Sequence, residues 1–299
     1  MSEEKSRKIL FIINSGSGNS TVDWPVLIQE YFASTNCIIE LFVFPKNCTA
    51  AIIKDKIAIF LPQYVVAVGG DGTVKLVAEC LIQKNIPLGI LPAGSANGLA
   101  KELGISEVPA AALEVLVKGT VKKIHVTNIN SQLCIHLGDI GFNAFVIKQF
   151  ETQQGRGMWG YLKASFKVLL KNTMMKVEMS IGNEVIKTEA AMIVIANATR
   201  YGSGAVINPV GKLDDDMFEV IAVKKISLVE LYKMVVSHAP YNPVKTEIFQ
   251  TNNLAMWSVK KAHFQVDGEY MGKVNEVKAT LIKAALEIIV PATVNNSKV

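Results

Sequence analysis

The feature that most restricts the fold is a buried strand, a glycine-rich polar loop and a helix in direct succession. It is clearest between Val65 and Thr73, where four apolar residues precede Gly69, Gly70 and Gly72. Short runs of small and β-branched apolar residues are typical of strands buried on both faces, as in parallel sheets. The order of strand, polar loop and helix recurs four times, which predicts a parallel, doubly wound α/β domain.

The predicted elements of this first domain place several polar loops at one edge of its sheet. The predicted strands are 8–13, 37–44, 64–68 and 88–91, and the predicted helices are 22–32, 49–59, 73–81, 99–103 and 109–118. Because parallel strands end at the same edge, the loops containing Asn14, Ser17, 69–73 and 95–97 are expected to converge where α/β proteins bind ligands. A glycine loop before a helix presents free N–H groups that suit a phosphate.

Asp71 is unusual in such a loop, because a carboxylate repels a bound phosphate. A metal ion or a proton transfer to the carboxylate would explain its presence. The alternative is a solvated aspartate in a tight turn, and the residues alone leave both interpretations open. The loop after the first strand lacks the third glycine of a dinucleotide fingerprint, and no Walker A lysine follows it. A Rossmann NAD site is therefore not expected.

The second half of the chain changes character near residue 122. Strands are predicted there with few long helices between them, which favours a mostly antiparallel second domain. The first domain is therefore expected to span 1–122 with 291–299, and the second 123–290. The predicted strands of this half are 121–129, 133–137, 174–181, 190–195, 218–223, 263–266 and 286–290.

Composition restricts the partners and the location of the protein. A hydrophobic content of 50% with 19% charged residues is globular, and a dispersed net charge of +5 predicts no nucleic-acid partner. No apolar run is long enough to cross a bilayer, and residues 1–8 lack a signal-peptide core. Cys37, Cys48, Cys80 and Cys134 lack metal-binding spacing, so buried reduced thiols in a cytoplasmic protein are expected.

Apolar residues and lysines repeat at helical spacing between residues 158 and 171. Lys163, Lys167 and Lys171 are four residues apart beside Trp159 and Phe166. Such a basic amphipathic helix can lie on anionic lipid. The alternative is an ordinary helix that faces the core and has a solvated lysine stripe.

Two motifs of the first domain carry a resemblance to a known family. Residues 69–73 read Gly-Gly-Asp-Gly-Thr, and residues 91–97 read Leu-Pro-Ala-Gly-Ser-Ala-Asn. Together they resemble the diacylglycerol kinase catalytic-domain family, which includes soluble bacterial lipid kinases, sphingosine kinases and ceramide kinases. Residues 141–144 resemble a glycine–aromatic turn of that family, and residues 212–216 and 266–269 resemble further segments, so the similarity covers nearly the whole chain.

The resemblance implies an ATP-dependent lipid kinase. Such an enzyme transfers the γ-phosphoryl group of ATP to the hydroxyl of a membrane lipid, diacylglycerol-like or sphingoid-like. ATP and Mg²⁺ are the implied cofactors, and the lipid substrate implies peripheral contact with the membrane. The second domain is implied to be a β-sandwich, and the last segment is implied to return to the first domain.

The same resemblance assigns roles to individual residues. Asp71 is the expected general base or orients the acceptor hydroxyl, and Glu269 handles the Mg²⁺–ATP. Asp215 is expected to hold a hydrated structural Mg²⁺, and Arg156 to neutralise the migrating phosphoryl group. The residues expected to bind the nucleotide are Asn14, Ser17, Thr49, Gly69, Gly70, Gly72, Thr73, Gly94, Ser95 and Asn97.

Spacing alone leaves simpler interpretations open for two of these segments. Three adjacent carboxylates at 214–216 need a cation or a basic partner if they are all ionised, but they also suit a solvated acidic turn. The Asp-Gly pair at 267–268 is by itself a hairpin signal.

The sequence departs from the family pattern at a few positions, and two other functions stay open. Lys75 and Leu76 stand where an Asn-Glu pair is common, Gly98 where bacterial members often have Asp, and Asp216 where Gly is usual. One alternative is an NAD kinase-like enzyme with a soluble substrate, and the other is a nucleotide-binding regulator without turnover. A homodimer is also left open.

Overall fold

The chain divides into two compact units. A computed structural model describes residues 7–17, 22–45, 48–152, 174–200, 206–227, 229 and 242–292. The first unit contains the described residues up to Ile124 and those from Ala284 onward, and the second contains those from His125 to Lys283. The return to the first unit was expected at about residue 291. It lies at Ala284 instead, because one uninterrupted strand, β14 (Glu269–Val290), contributes to both units.

The described part of the first unit alternates strands with helices, as expected. The elements are β1 (Lys8–Ile13), α1 (Trp24–Phe32), β2 (Ile38–Val43), α2 (Ala50–Phe60), β3 (Tyr64–Gly69), α3 (Asp71–Leu81), β4 (Leu88–Pro92), α4 (Gly98–Glu102) and α5 (Pro109–Lys118). The strands pair in parallel in the order β4–β3–β1–β2, and Ile288 of β14 lies parallel beside Leu88. The predicted α/β fold class is confirmed.

Helix α3 begins two residues earlier than the sequence predicted. The backbone N–H groups of Thr73 and Val74 both donate to the carbonyl oxygen of Gly70, at 2.9 and 3.0 Å. These bonds draw Asp71 and Gly72 into the first turn of the helix. A carboxylate in that turn is favoured by the helix dipole. Asp71 therefore belongs to the helix as well as to the glycine loop.

The second unit is mostly antiparallel, also as expected. Its strands and helix are β5 (Thr120–Ile129), which begins in the first unit, β6 (Gln132–Cys134), β7 (Leu137–Gly141), α6 (Phe142–Thr152), β8 (Met175–Ile181), β9 (Glu184–Ala190), β10 (Met192–Ala196), β11 (Phe218–Val223), β12 (Thr246–Thr251) and β13 (Asn253–Val266). The strands run in the antiparallel order β12–β11–β10–β7–β13–β14. Strand β8 pairs antiparallel with the first half of β13, and β9 pairs antiparallel with β8.

Strand β10 shows how the core of this unit is filled. Its side chains alternate between two apolar clusters, because successive residues of a strand point to opposite faces. Met192 and Val194 join the cluster that contains Phe145 of α6, whereas Ile193 and Ile195 join the other. All five residues of β10 are buried, so this strand is covered on both faces.

Two predictions for residues 133–144 are wrong. A single strand was expected over 133–137, but β6 ends at Cys134 and β7 begins at Leu137. The backbone N–H groups in between donate to the carboxylate of Asp267, which replaces strand pairing there. The expected turn at 141–144 is instead the start of α6, which begins at Phe142.

The cysteines fit the expectations only in part. Cys80 and Cys134 are buried free thiols, and burial raises the pKa of Cys80 to about 11. The prediction is wrong for Cys37 and Cys48, which are half-buried because they lie in loops just before β2 and α2. In the part of the chain that the structure describes, no helix has the length and apolar character to span a bilayer. The helix predicted at 158–171 lies outside the described residues.

Candidate functional site

The loop after β1 is bonded to the start of α3 in the first unit. The side-chain amide of Asn14 donates from Nδ2 to Thr73 Oγ1 at 3.0 Å, and its Oδ1 accepts from the N–H of Gly16 at 3.1 Å. The N–H of Ser17 donates to the carbonyl of Asn14 at 3.1 Å, which closes the loop into a turn. The structure thus brings together Asn14, Ser17 and Thr73.

The loops after β3 and β4 touch through glycine backbones. A Cβ atom added to Gly94 would lie 2.4 Å from the Cα of Gly70, and one added to Gly69 would lie 2.4 Å from Thr73 Oγ1. A Cβ on Gly72 would meet nothing within 4 Å. Neighbouring atoms thus lie too close for a side chain at Gly69, Gly70 or Gly94. Gly72, in contrast, borders open space that a ligand can occupy.

Asp71 joins the same two loops through its side chain. Its Oδ2 accepts from the N–H of Gly98 at 3.0 Å, and its Oδ1 accepts from the N–H of Leu99 at 3.1 Å. The two bonds use different oxygens of one half-buried carboxylate, so they fix its rotation as well as its position. The first motif is thus joined to the start of α4 by a carboxylate, and to the second motif by the contact of Gly70 with Gly94.

Asn97 is buried and stabilises the loop after β4 through hydrogen bonds to Gly94 in the same loop. It is 5% exposed with φ of 52°, a left-handed conformation that Asn tolerates. Its Oδ1 accepts from Gly94 N at 2.9 Å, and its Nδ2 donates to Gly94 O and to Glu107 Oε1, each at 2.9 Å. The bond from Asn97 holds the pKa of Glu107 below its usual value. Sequence reasoning missed Glu107, for which no motif gives a signal.

Two further residues expected to bind the nucleotide are exposed. Ser95 lies in the loop after β4, and Thr49 is the N-cap residue of α2 after β2. The side chain of Thr49 makes no capping hydrogen bond. Both residues are therefore accessible to a ligand from solvent.

The close approach of the two glycine loops gives a stability prediction with an internal control. Gly94→Ala should lower the free energy of unfolding by about 1–3 kcal/mol, because the new Cβ displaces the backbone at Gly70. Gly72→Ala should change it by less than about 0.5 kcal/mol, because space is open there. Urea unfolding of both variants measures the difference. Equal effects of the two substitutions would contradict the contact.

In the second unit, Asp267 and Gly268 form the hairpin turn between β13 and β14. Their φ angles are 50° and 86°, as a two-residue type I′ loop requires. The Asp267 carboxylate accepts from the N–H groups of Ile135 and His136 at 3.0 Å and of Leu137 at 3.2 Å. Glu269 follows as the exposed first residue of β14. The hairpin interpretation is confirmed.

The acidic run at 214–216 contains two carboxylates in contrasting surroundings. Asp216 is exposed and paired with Lys283 Nζ at 2.8 Å and His125 Nε2 at 3.6 Å. The bond from Lys283 holds the pKa of Asp216 below its usual value. Asp215 is half-buried, and its Oδ1 is buried without a hydrogen-bond partner.

The buried oxygen of Asp215 is the feature that fits a cation. The described residues contain no group of three or more His, Cys, Asp or Glu that could hold a metal ion. Mg²⁺ usually retains several waters and binds one or two carboxylates, so a single Asp215 suffices for a hydrated ion. Arg156, expected to clamp the phosphoryl group, lies outside the described residues.

Sequence reasoning also missed Asp139, a fully buried carboxylate in the middle of β7. It is 1% exposed and accepts from Asn143 Nδ2 at 2.6 Å and from the N–H of Ala144 at 2.8 Å. Gln265 of β13 donates to it as well. Asp139 therefore joins the start of α6 to β13. A lone charge in the otherwise apolar stretch around it was the available signal.

Comparison with known proteins identifies the family. The diacylglycerol kinase catalytic domain matches residues 8–129, and the YegS C-terminal NAD kinase beta sandwich-like domain matches residues 139–290. A diacylglycerol kinase of Staphylococcus saprophyticus is 26% identical over 246 residues, covering 79% of each chain. An uncharacterized protein of Synechocystis is 27% identical over 239 residues, which are 77% of this chain but 55% of that protein.

Solved structures share the fold. A diacylglycerol kinase from Bacillus anthracis superposes with a TM-score of 0.72 at 18% identity, covering 97% of this chain and 99% of that chain. An NAD kinase from Archaeoglobus fulgidus, solved in complex with ATP, gives a TM-score of 0.51 at 13% identity, covering 95% and 93%. The two domain matches together span both units, and the chain belongs to the diacylglycerol kinase catalytic-domain family, with a C-terminal domain of the YegS type.

Proposed function

We propose that the protein is an ATP-dependent lipid kinase, which transfers the γ-phosphoryl group of ATP to the hydroxyl of a diacylglycerol-like or sphingoid-like membrane lipid. The observation that carries this proposal is the Asp71 carboxylate, held by the N–H groups of Gly98 and Leu99 where two glycine loops meet. Membership in a kinase family supports the reaction class.

The loops of the first unit supply the expected phosphate site. Helix α3 begins at Asp71, and its first N–H groups lie beside the open space at Gly72. A helix N-terminus with its dipole suits the phosphates of ATP. In the proposed complex, Thr73 and Asn14 hold the loop in shape, while the exposed residues Ser95 and Thr49 contact the nucleotide.

Asp71 is the proposed general base or orienting group for the acceptor hydroxyl. Phosphoryl transfer needs positioning and charge neutralisation more than covalent chemistry, and one group receives the hydroxyl proton. The two backbone bonds keep the carboxylate in one orientation before substrate arrives. A preorganised carboxylate loses no rotational freedom during the reaction.

Two acidic residues of the second unit are proposed to interact with Mg²⁺. Asp215 would hold a hydrated structural ion through its buried, unpartnered Oδ1. Glu269 is proposed, by family resemblance, to handle the Mg²⁺ that accompanies ATP. Bound Mg²⁺ neutralises charge on the phosphates during transfer.

The alternative of an NAD kinase rests on the shared fold, and one side chain argues against it. That family needs an Asn-Glu or Asn-Asp pair for the nicotinamide ribose, whereas Ala198 follows Asn197 here. Asn197 is 1% exposed and donates from Nδ2 to the carbonyl of His125 at 2.8 Å. Because this side chain is bonded in the interior of the second unit, it is not accessible to a nicotinamide ribose. Its burial therefore favours the lipid acceptor over NAD.

A labelled-phosphate assay tests the proposal. The protein is incubated with ATP labelled on the γ-phosphate, Mg²⁺ and either a total lipid extract or NAD, beside a sample with EDTA. Label in the organic phase, absent with EDTA, is the expected result. Label on NAD alone would overturn the lipid acceptor, and tight ATP binding without transfer to either would indicate a regulator.

A further inference from the structure

A bulge in β13 projects an apolar and basic segment from the second unit. Trp257 pairs with Glu276 of β14, and the next pair along the ladder is Ala262 with Val274. Residues 258–261 of β13 therefore lie opposite a single residue of β14. Ser258 Oγ donates to the carbonyl of Lys260 at 2.7 Å, which braces the bulge.

A cavity of about 560 Å³ lies beside this bulge. Its apolar wall includes Phe145 and Met175, and four lysines line it as well. The lysines come from β8, β13 and β14 and are Lys176, Lys260, Lys261 and Lys273. No aspartate or glutamate is among the described residues that line the cavity.

The positive charge of this cavity is largely uncompensated. Lys176 contacts Glu189 at 3.4 Å, but Lys260, Lys261 and Lys273 form no ion pair with any described residue. A neighbouring groove, which shares Lys176 and Val259 with the cavity, provides a contrast. Two lysines and two glutamates line that groove, and Lys187 contacts Glu178 there at 3.1 Å. The lysines of the groove are thus matched by an equal number of glutamates, whereas the lysines of the cavity are not.

Exposed apolar side chains accompany these lysines. Val259, at the bulge, is 79% exposed, and Met174 and Trp257 are 45% and 42% exposed. Val259 lines both the cavity and the neighbouring groove, which Trp257 also lines. A large aromatic and two aliphatic side chains beside basic residues match the interface of a bilayer, where apolar groups enter the headgroup–acyl boundary.

We propose that the 258–261 bulge and the lysine-lined cavity form a surface that binds an anionic phospholipid bilayer. Val259, Trp257 and Met174 enter the interface, and the lysines contact lipid phosphates. A soluble polyanion matches the lysines but leaves the apolar side chains in water. The inference deepens the proposed function, because it brings the kinase to the bilayer that contains its acceptor. The binding itself requires no phosphoryl transfer.

Vesicle sedimentation of the whole protein tests this surface. Vesicles of phosphatidylcholine with phosphatidylglycerol should bind far better than phosphatidylcholine alone, and added salt should weaken the binding. Lys260→Gln with Lys261→Gln should lower the partition coefficient about 25-fold, since each lysine near an anionic surface contributes about fivefold. Val259→Asp should lower it too, with an unchanged thermal unfolding midpoint, because the side chain is exposed.

Lys224→Gln with Lys283→Gln is the matched control. It removes the same charge from the same unit, at lysines 46% and 53% exposed that already contact Glu247 and Asp216. Neither lysine lines the cavity or the neighbouring groove. The control should bind like the unmodified protein. Equal loss in both double variants, equal binding to the two vesicle types, or full displacement by inorganic phosphate would overturn the surface. Failure to bind anionic vesicles combined with phosphorylation of detergent-dispersed lipid would remove this inference and leave the proposed function standing.

Discussion

Asp71→Asn is expected to reduce phosphoryl transfer about 10²- to 10⁴-fold, the range typical of losing a general base. The amide has the size of the carboxylate but cannot take up the acceptor proton. It also turns an NH₂ group toward one of the two backbone N–H donors, at Gly98 or Leu99. Steady-state kinetics with saturating ATP and lipid measure the loss, and the reduction should appear in kcat.

A purely structural role for Asp71 predicts a different pattern. Gly94→Ala disturbs the same pair of loops without removing a proton acceptor, so it should raise KM for ATP more than it lowers kcat. Asp71→Asn should therefore lower kcat far more than Gly94→Ala does. If Asp71→Asn retains more than a tenth of the activity, the carboxylate is not the base.

Asp267→Ala is expected to lower the free energy of unfolding by about 3–6 kcal/mol. Three backbone N–H groups lose a charged acceptor, and hydrogen bonds to charged groups contribute about 1.5–3 kcal/mol each before relaxation. Two of those donors belong to Ile135 and Leu137, each 2% exposed, where water cannot easily replace the carboxylate. Alanine is also strained at the φ of 50° found here. Urea unfolding measures the change.

Asp267→Asn separates the two causes. Asparagine tolerates the left-handed backbone and keeps one acceptor oxygen, so its effect should be smaller than that of alanine. Gly268→Ala strains the other turn position, where φ is 86°, and leaves the Asp267 bonds in place. A loss below about 1 kcal/mol for Asp267→Ala would mean that the bonds to residues 135–137 contribute little to stability.

Local patterns predicted the elements of the first unit, because each depends on neighbouring residues. The apolar run before Gly69 and the glycines after it gave β3 and its loop within one or two residues. The parallel arrangement then predicted that the loops meet, and the Gly70–Gly94 contact shows how closely they do. The sequence therefore predicted which loops surround Asp71. It could not predict that the N–H groups of Gly98 and Leu99 donate to this carboxylate, because those bonds depend on how the loops pack.

Long-range bonds account for what local patterns missed. The break between β6 and β7 is caused by Asp267, which lies far along the chain from Ile135. Asn97 could not be identified as a buried structural residue without Glu107, its partner across the loop. The bulge in β13 likewise depends on β14, because residues 258–261 have only one residue of β14 opposite them and are left out of the strand pairing.

The continuity of β14 has a consequence for synthesis. The first unit is not contiguous in the sequence, since Ile288 occupies a place beside Leu88 in its sheet. A ribosome must therefore translate the whole second unit before that sheet can acquire its last strand. Until then the outer side of β4 lacks this neighbour, and an unpaired strand edge invites association with other chains. Completion of the first unit must therefore wait until the second unit has been translated.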